Sequence, residues 1–366
     1  MAKLSEIEKK LAQMFMLGFK GTELSPGTKS FLNEYQPGGI IYFAQNYETP
    51  ALLLELSQEI QNTRAKDMNL PLFIAADHEG GKVQRFRKPF IHFPEPVVLG
   101  EINSPKLAFQ VAEVMANELR AVGVNIDFHP LCDIHTRASN PVIGRRAFGT
   151  DEETVSKISS AMVRGFIAAK TVSTVKHFPG HRDTNVDSHF ELPRFEMSWE
   201  DMLNREIKPF AKAIKGRVDM IMTAHILNTA IDPVYPATLS YETITNKLRK
   251  ELRFQRLVIT DDMQMDAVAK HFGEEEMIAL AIQAGCDILL YRNEENGHRA
   301  MDTAFRFLKD GKIKAEQVEA AFARIQEVKQ RVLLPYVEPT MEGLSVIGCA
   351  AHQGILQQVL DKKSLD

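Results

Sequence analysis

Short apolar runs alternate with amphipathic helical stretches along most of this 366-residue chain. The runs that have the length and side chains of buried strands are Met14–Phe19, Gly39–Phe43, Leu72–Ala76, Asn125–Pro130, Ser173–His177, Met220–Ala224, Leu257–Thr260 and Asp287–Tyr291. The helical patterns between them include Pro50–Ala65, Pro105–Val122, Glu152–Ala169, Trp199–Lys215 and Glu274–Ala284. Nearly continuous apolar strands, each followed by a helix, are typical of a parallel sheet covered by helices. Eight such units predict an α/β fold, a TIM (β/α)8 barrel.

A doubly wound open sheet is the alternative, and it usually has a Gly-rich phosphate-binding turn after its first strand. The turn Gly18-Phe19-Lys20-Gly21 lacks that pattern, which favours the barrel. The stretch Ala315–Val332 predicts the helix that closes the barrel, and Pro335 then interrupts the chain. We therefore expect a single domain over residues 1–335 and a short C-terminal tail with one helix over residues 336–366.

The composition argues against several classes of protein. A net charge of −4 with scattered basic residues is unlike a nucleic-acid-binding surface, which concentrates positive charge. Residues 1–10 do not resemble a signal peptide, and no apolar stretch is long enough to span a bilayer. The three cysteines show no CxxC spacing, which is typical of free thiols in a reducing compartment. We expect a cytoplasmic protein without a nucleic-acid or membrane partner.

Polar and titratable side chains stand where the predicted strands end. They are Asp77, Lys176 and His177, His225, and Asp261 and Asp262, while Asp127 and His129 lie within the predicted strand Asn125–Pro130. In a TIM barrel these strand ends lie on one face, where active sites are built. The sequence therefore predicts that side chains from distant positions converge on one site.

The run from Lys176 to His189 is the densest of these clusters. It contains three histidines, two aspartates and two cations in fourteen residues. Pro179 and Gly180 end the strand, so residues 181–189 should form a loop that can move. Packing alone does not explain such a density of titratable groups, which indicates an enzyme.

The aspartates and histidines of these segments suggest a hydrolytic chemistry. Asp261 follows a buried strand, where an aspartate caps a following helix or points into the mouth of the barrel. In Asp187-Ser188-His189 the carboxylate can hold the imidazole in one tautomer for acid/base work, unless the loop simply faces water. A carboxylate nucleophile and a separate proton donor are the minimum set for double-displacement glycoside hydrolysis.

Three cations flank the proposed mouth. Arg85, Arg146 and Lys176 can donate hydrogen bonds to sugar hydroxyls or pair with Asp77. Lys176 interrupts an apolar strand, and a buried lysine requires an anion or a polar ligand.

Several separated motifs carry a resemblance to a known family. They are Asp77–Arg87, Ile143–Gly149, Lys176–His189, Met222–Ile226, Pro236–Ser240 and Ile259–Met265. In order and spacing they resemble glycoside hydrolase family 3, and most of all its NagZ-type β-N-acetylglucosaminidases. The likeness extends from about Leu11 to about Arg331.

The resemblance implies a TIM barrel and a retaining mechanism without cofactor or metal. It implies that Asp261 is the nucleophile, and it alone decides between Asp261 and Asp262. His189 is implied as the acid/base on a mobile loop, with Asp187 as its partner. The residues implied to hold the N-acetylglucosamine ring are Asp77, Arg85, Arg146, Lys176 and His177.

The substrate implied is a small carbohydrate, a terminal N-acetylglucosamine β-linked to anhydro-N-acetylmuramic acid in recycled cell-wall fragments. Relatives whose proton donor is a carboxylate usually draw it from a second domain, so the single domain expected here favours the loop histidine. This chain departs from the family pattern at Arg182, where glycine is usual, and at His78, where glutamine is common.

Four other functions are compatible with parts of the pattern. A metal-dependent hydrolase would use His177, His181, Asp183, Asp187 and His189 as ligands. Their spacing does not match compact motifs such as HExxH, and Lys176 would repel the cation. A non-catalytic sugar-binding protein is a second alternative, and the Asp261 and His189 pair argues against it. The others keep the chemistry and change the sugar or acceptor: a β-glucosidase or β-xylosidase, and a glycoside phosphorylase.

Overall fold

Eight parallel strands close into a barrel in the computed structural model, which describes residues 4–64, 68–136, 143–181 and 192–363. The strands are β1 Phe15–Gly18, β2 Gly39–Tyr42, β3 Phe73–Ala76, β4 Ile126–Asp127, β5 Val172–Phe178, β6 Met220–Thr223, β7 Leu257–Asp262 and β8 Ile288–Tyr291. Each strand pairs with its neighbours in chain order, and β1 closes the barrel by pairing with both β2 and β8. Each predicted strand overlaps one of these, so the prediction of a TIM barrel is confirmed.

The helices form the outer layer. They are α1 Glu6–Ala12, α2 Pro26–Tyr35, α3 Pro50–Asn62, α4 Val97–Ile102, α5 Pro105–Ala121, α6 Glu152–Ala168, α7 Trp199–Asn204, α8 Ile207–Lys215, α9 Asp266–Ala269, α10 Glu274–Ala284, α11 Glu294–Lys309, α12 Ala315–Leu333 and α13 Ala350–Lys363. A π-helical segment covers Glu242–Glu251, and shorter 3₁₀ turns cover Ala44–Asn46, Gly144–Arg146, Ala237–Leu239 and Glu342–Val346. Because helices cover the barrel, its strands are buried on both faces and read as continuous apolar runs.

Local sequence sets where the helices begin. The hydroxyl of Thr49 accepts a hydrogen bond from the amide of Leu52, and Pro50 occupies the first position of α3. Ser104 and Pro105 play the same two roles at the start of α5. A side-chain acceptor satisfies an amide that has no partner within the helix, and proline fits where its missing N–H is not needed.

The single helix expected over Trp199–Lys215 is wrong, since the chain there forms α7 and α8 with a break at Arg205. Pro209 lies in the first turn of α8. In a continuous helix its ring would clash with the carbonyl of residue 205, four positions earlier. The helix therefore restarts just before the proline.

Two small sheets extend the barrel beyond its strands. His78–Gly80 pairs antiparallel with Val83–Gln84 directly after β3, and Arg194–Phe195 pairs with Leu227–Asn228. The first of these sheets lies at the face where β3 ends. It therefore carries the residues that follow Ala76 toward the site described below.

The segment after α12 packs back onto the outside of the barrel. Val359 of α13 is fully buried, and Ile355 and Leu356 pack against the same apolar cluster, which includes side chains of α4 and α5. The helix predicted for the tail is confirmed, and the division at residue 335 stays a prediction. Among the described residues, no helix combines the length and the apolar character needed to cross a membrane.

Candidate active site

A cavity of about 270 Å³ opens where the strands end. Its lining combines the ends of several strands with the segments that follow them: Ile41, Phe43, Asp77, Val83, Arg85, Phe128, Arg146, Lys176, His177, His181, Met222, Asp261, Asp262, Met265, Leu290 and Arg292. Pockets for small molecules span roughly 300–1,000 Å³, so this one suits a ligand as small as one sugar ring. The predicted convergence of strand-end side chains is confirmed for Asp77, Lys176, His177, Asp261 and Asp262, and the predicted cations Arg85 and Arg146 line the same cavity.

A bulge in β5 brings two consecutive side chains to the cavity. Lys176 and His177 stand together opposite the single residue Met222 of β6, because the register shifts between residues 175 and 178. In a regular strand successive side chains point to opposite faces. The bulge removes that alternation locally, so Lys176 and His177 both line the cavity.

The register of β7 is also irregular near its end. Thr260 and Asp261 stand opposite the single residue Leu289 of β8, because the register shifts between residues 259 and 262. Asp261, within this irregular stretch, and Asp262, which follows it, both line the cavity. Simple alternation along the strand would have placed only one of them there.

Asp77 joins two of the predicted cations. One oxygen lies 2.8 Å from Nη2 of Arg85, and the other lies 2.8 Å from Nζ of Lys176. Burial raises the pKa of Asp77, but the charges of Lys176 and Arg85 outweigh it and hold that pKa below its usual range. The expectation that Lys176 requires an anion is thus confirmed.

Glu79 is a second anion of this group and was not among the predicted site residues. Its side chain is fully buried, with Oε1 2.7 Å from Nζ of Lys176. Arg146 donates to both of its oxygens, at 2.9 and 2.7 Å. Burial raises the pKa of Glu79, but the two cations lower it well below its usual value. Side chains two positions apart in an extended chain share a face, so the spacing from Asp77 was a usable signal.

Asp133 is a further buried carboxylate outside the predicted set, and it contacts two histidines that line the cavity. It accepts hydrogen bonds from the amide of His177 at 3.1 Å, from Nδ1 of His177 at 2.7 Å and from the amide of His181 at 2.7 Å. These donors, and above all His177, lower the pKa of Asp133 although its burial raises it. An ionised carboxylate only accepts, so Nδ1 of His177 carries a proton and Nε2 is left for the cavity.

The neighbours Asp261 and Asp262 have different roles. One Asp262 oxygen accepts the amides of Gln264 at 3.1 Å and Arg292 at 3.3 Å, and the other lies 2.6 Å from Nε of Arg292. Asp262 therefore holds the turn after β7. Burial raises its pKa to about 6, despite the charge of Arg292.

Asp261 is held by fewer contacts. Its Oδ1 accepts the amide of Asp262 at 2.8 Å, and its other oxygen has no hydrogen-bond partner among the described residues. Burial raises the pKa of Asp261, but His177, His225 and that amide together bring it below its usual value. The cavity thus contains an ionised carboxylate with an oxygen available to a ligand.

Three other residues of the predicted convergence lie below or beside the cavity rather than in its lining. His225 bonds through Nε2 to the carbonyl of Asp262 at 3.0 Å and through Nδ1 to the hydroxyl of Thr238 at 2.9 Å, so it supports the β7 turn. Asp127 accepts the amide of His78 at 3.0 Å, and burial raises its pKa well above the usual value. His129 is fully buried, and burial lowers its pKa to about 3.

Asp187, His189 and Arg182 lie outside the described residues. His181, which precedes them, lines the cavity with its ring 5.6 Å from that of His177. Burial lowers the pKa of His181 to about 4, although Asp133 opposes the change. Of the five side chains considered as metal ligands, Asp183 is also outside, and the described residues contain no group of three histidines, cysteines or carboxylates arranged to hold a metal ion.

His78, the other departure from the family pattern, belongs to the wall behind the cavity. Its ring lies 5.5 Å from that of Phe86 and 5.9 Å from that of Phe90. Burial lowers the pKa of His78 to about 3, so the ring is neutral and packs as an aromatic group.

The arrangement as a whole suits a neutral, hydroxyl-rich ligand. The ion pairs neutralise most of the charge of the side chains that line the cavity. The N–H groups and oxygens of these pairs still line it beside Asp261. Groups of this kind donate to and accept from sugar hydroxyls. A carboxylate beside a bound ring is the geometry that covalent glycoside chemistry requires.

Comparison with known proteins agrees with this geometry. The family described as Glycosyl hydrolase family 3 N terminal domain matches residues 6–328. A β-N-acetylglucosaminidase of that family from Paenibacillus sp. str. FPU-7 has 36% sequence identity and a TM-score of 0.93, over 98% of this chain and 69% of its own. NagZ from Neisseria gonorrhoeae, solved with N-trifluoroacetyl-D-glucosamine, has 28% identity and a TM-score of 0.77, over 96% of this chain and 98% of its own.

Beta-hexosaminidase A of Pseudoalteromonas piscicida is 34% identical over 336 residues. That match covers 85% of this chain, which spans 56% of the length of the Pseudoalteromonas protein. The family profile alone covers most of the chain, including the segments that build the cavity. The chain therefore belongs to glycoside hydrolase family 3.

Proposed function

We propose that this protein is a retaining exo-acting β-N-acetylglucosaminidase, with Asp261 as its nucleophile. The observation that carries the proposal is the ionised Asp261 carboxylate, which lines a small cavity and has an oxygen without a partner among the described residues. The relatives named as β-N-acetylglucosaminidases and β-hexosaminidases support the choice of sugar.

In the proposed reaction one terminal sugar ring occupies the cavity. Asp77, Arg85, Arg146, Lys176 and His177 surround it and bind its hydroxyls and its N-acetyl group. Asp133 orients His177 so that Nε2 faces the sugar. These contacts hold the anomeric carbon next to the carboxylate, and positioning of this kind lowers the barrier without new chemistry.

The chemistry proceeds in two displacements. An Asp261 oxygen attacks the anomeric carbon while the bond to the leaving oxygen breaks, and that oxygen takes a proton from His189. Water then attacks the same carbon as His189 recovers a proton, which releases Asp261 and a sugar of unchanged anomeric configuration. The roles of His189 and of Asp187 as its partner rest on the family resemblance.

The substrate proposed is a terminal N-acetylglucosamine β-linked to anhydro-N-acetylmuramic acid, in fragments of peptidoglycan that the cell recycles in its cytoplasm. The size of the cavity supports exo action, because about 270 Å³ holds one ring and leaves the rest of the chain outside.

A panel of p-nitrophenyl β-glycosides tests the proposal. We expect hydrolysis of the N-acetylglucosaminide, with glucoside and xyloside turned over far more slowly. NMR of the early product should show the β anomer, as retention requires. Hydrolysis of the glucoside alone would contradict the substrate, and an early α anomer would contradict the mechanism.

Two additions to the same assay separate the remaining alternatives. Activity that needs phosphate, with a sugar 1-phosphate as product, would identify a phosphorylase. Activity lost to a chelator and restored by zinc would identify a metal-dependent hydrolase. We expect neither reagent to change the rate.

A further inference from the structure

The loop of residues 81–93 carries Arg85 into the cavity and is stabilised by hydrogen bonds between its own residues. The side-chain amide of Gln84 donates to the carbonyls of Phe86 at 3.1 Å and Ile91 at 3.0 Å. The amide of Gly81 donates to the carbonyl of Phe93 at 2.9 Å. The position of Arg85 therefore depends on where residues 86–93 are held.

Glu118 of α5 holds that loop from outside the cavity. Its carboxylate is buried, and Oε2 accepts the amide of Ile91 at 2.8 Å. Its other oxygen, Oε1, accepts the amide of Gly348 at 2.8 Å and lies 2.8 Å from Nδ1 of His352. One buried carboxylate thus joins the Arg85 loop to the segment that begins α13.

The same segment also touches the loop directly. Gly348 has a φ of +66°, and a Cβ at this position would lie 2.5 Å from the carbonyl oxygen of Pro89. Only glycine allows this approach without moving one of the two backbones. The remainder of α13 is fastened elsewhere, through Val359 in the apolar cluster that includes side chains of α4 and α5.

We propose that Glu118, Gly348 and His352, named here the C-terminal clamp, are positioning residues that set the place of Arg85 in the cavity. The inference rests on the proposed function, in which Arg85 binds the sugar. Within the described part of the chain, Arg85 pairs with Asp77 at 2.8 Å and lies over the ring of Phe43, and its side chain is still 28% exposed, so the position of its loop contributes to its order. A displacement of about 1 Å at a binding group can cost up to ~10² in rate.

Gly348→Ala and Glu118→Gln test the clamp, and Val359→Ala is the matched control. Gly348→Ala pushes the loop at Pro89, and Glu118→Gln replaces one acceptor oxygen by a donor. Val359→Ala loosens α13 away from the loop. We expect both clamp variants to speed hydrogen exchange in a peptide covering residues 84–93 and to raise KM for p-nitrophenyl N-acetylglucosaminide by about 5–10-fold with kcat little changed. Val359→Ala should lower Tm without changing either the hydrogen exchange of residues 84–93 or KM.

An Arg85→Ala background sharpens the result. If the clamp acts through Arg85, Gly348→Ala should no longer change KM when Arg85 is absent, because coupled residues are non-additive. Unchanged exchange in residues 84–93, unchanged KM in both clamp variants, or an equal KM change in Val359→Ala would each overturn the proposal.

The same data separate this inference from the proposed function. Failure of the function would appear as a folded wild-type protein without N-acetylglucosaminidase activity, while the exchange difference in residues 84–93 persisted. Failure of the clamp would appear as an active wild-type enzyme whose exchange and KM do not respond to Gly348→Ala and Glu118→Gln.

Discussion

The ammonium of Lys176 lies 2.7 Å from a carboxylate oxygen of Glu79, and the two side chains are only 2% and 0% exposed. Arg146 shares the same carboxylate through a bidentate contact. The negative charge of Glu79 therefore balances two cations at the floor of the cavity. Because the group is buried, water cannot take the place of the carboxylate. Loss of one partner in such a group leaves an uncompensated buried charge.

Glu79→Gln should accordingly lower the free energy of unfolding by about 3–5 kcal/mol at pH 7. Urea denaturation followed by circular dichroism measures it. Glu95→Gln is the matched control, because Glu95 pairs with the largely exposed Arg145 and such pairs contribute about 1 kcal/mol or less. Equal effects of the two substitutions would contradict the role given to Glu79.

Asp261→Ala should lower kcat by roughly 10⁴-fold or more, because the carboxylate that attacks the sugar is removed. Asp262→Asn should retain most of the activity, since Asp262 holds a turn. Added azide should restore turnover of the nitrophenyl substrate by Asp261→Ala and give an α-glycosyl azide. If azide restored the activity of an Asp262 variant and not that of Asp261→Ala, Asp262 would be the nucleophile.

Asp133→Asn should lower kcat/KM roughly 10–100-fold, as expected for a lost hydrogen bond to a charged group of about 1.5–3 kcal/mol. The amide group cannot accept from Nδ1 of His177 and both amides at once. Steady-state kinetics with the N-acetylglucosaminide measures the change. Asp219→Asn makes the same substitution in a buried ion pair with Arg256, just before β6 at the opposite end of the barrel, and should reduce stability without changing KM.

His189→Ala should slow substrates with poor leaving groups by ~10² or more, because they require protonation of the leaving oxygen. The nitrophenyl substrate should be affected much less, since nitrophenolate leaves without a proton. Rates with a natural disaccharide and with the nitrophenyl glycoside provide the comparison. An equal loss on both substrates would argue against His189 as the acid.

Lys329 should make stability depend on pH. Its Nζ donates to Oε1 of Gln13 and to the carbonyl of Gly38, both at 2.8 Å, and burial lowers its pKa to about 7. An unfolded lysine has a pKa of about 10.4. Between these values the unfolded chain holds a proton that the folded chain lacks, so the folded state gains stability as pH rises.

Relative to Lys329→Met, wild-type unfolding free energy should therefore rise by up to about 1.4 kcal/mol per pH unit between pH 7 and 10. Urea titrations at each pH measure the free energy of unfolding of both proteins. The contributions of all other titratable groups cancel in the difference between them. Lys215→Met, at an exposed position, should show a constant difference. If the difference in unfolding free energy between wild type and Lys329→Met were also independent of pH, the lowered pKa of Lys329 would be contradicted.

The barrel was predictable from the sequence because its signals are local. The apolar run Leu257–Thr260 and the helical pattern Glu274–Ala284 are each recognised within one window of the chain. Around Pro209, by contrast, hydrophobic periodicity alone predicts one continuous helix, whereas the structure has the two helices α7 and α8. Position at a strand end was likewise local information, and it indicated Asp77, Lys176 and the pair Asp261 and Asp262, between which only the family resemblance chose.

What the sequence determined by itself is the order of strands and helices and the set of polar residues that stand at strand ends. Only the tertiary structure showed that Asp133 completes the site, since it meets His177 across 44 residues of chain, and that Glu79 pairs with both Lys176 and Arg146. Only the register of neighbouring strands revealed the irregularities at which His177 and Asp261 line the cavity. Hydrophobic periodicity acts over a few residues, whereas pairing of buried charges and strand register exist only once the barrel has closed.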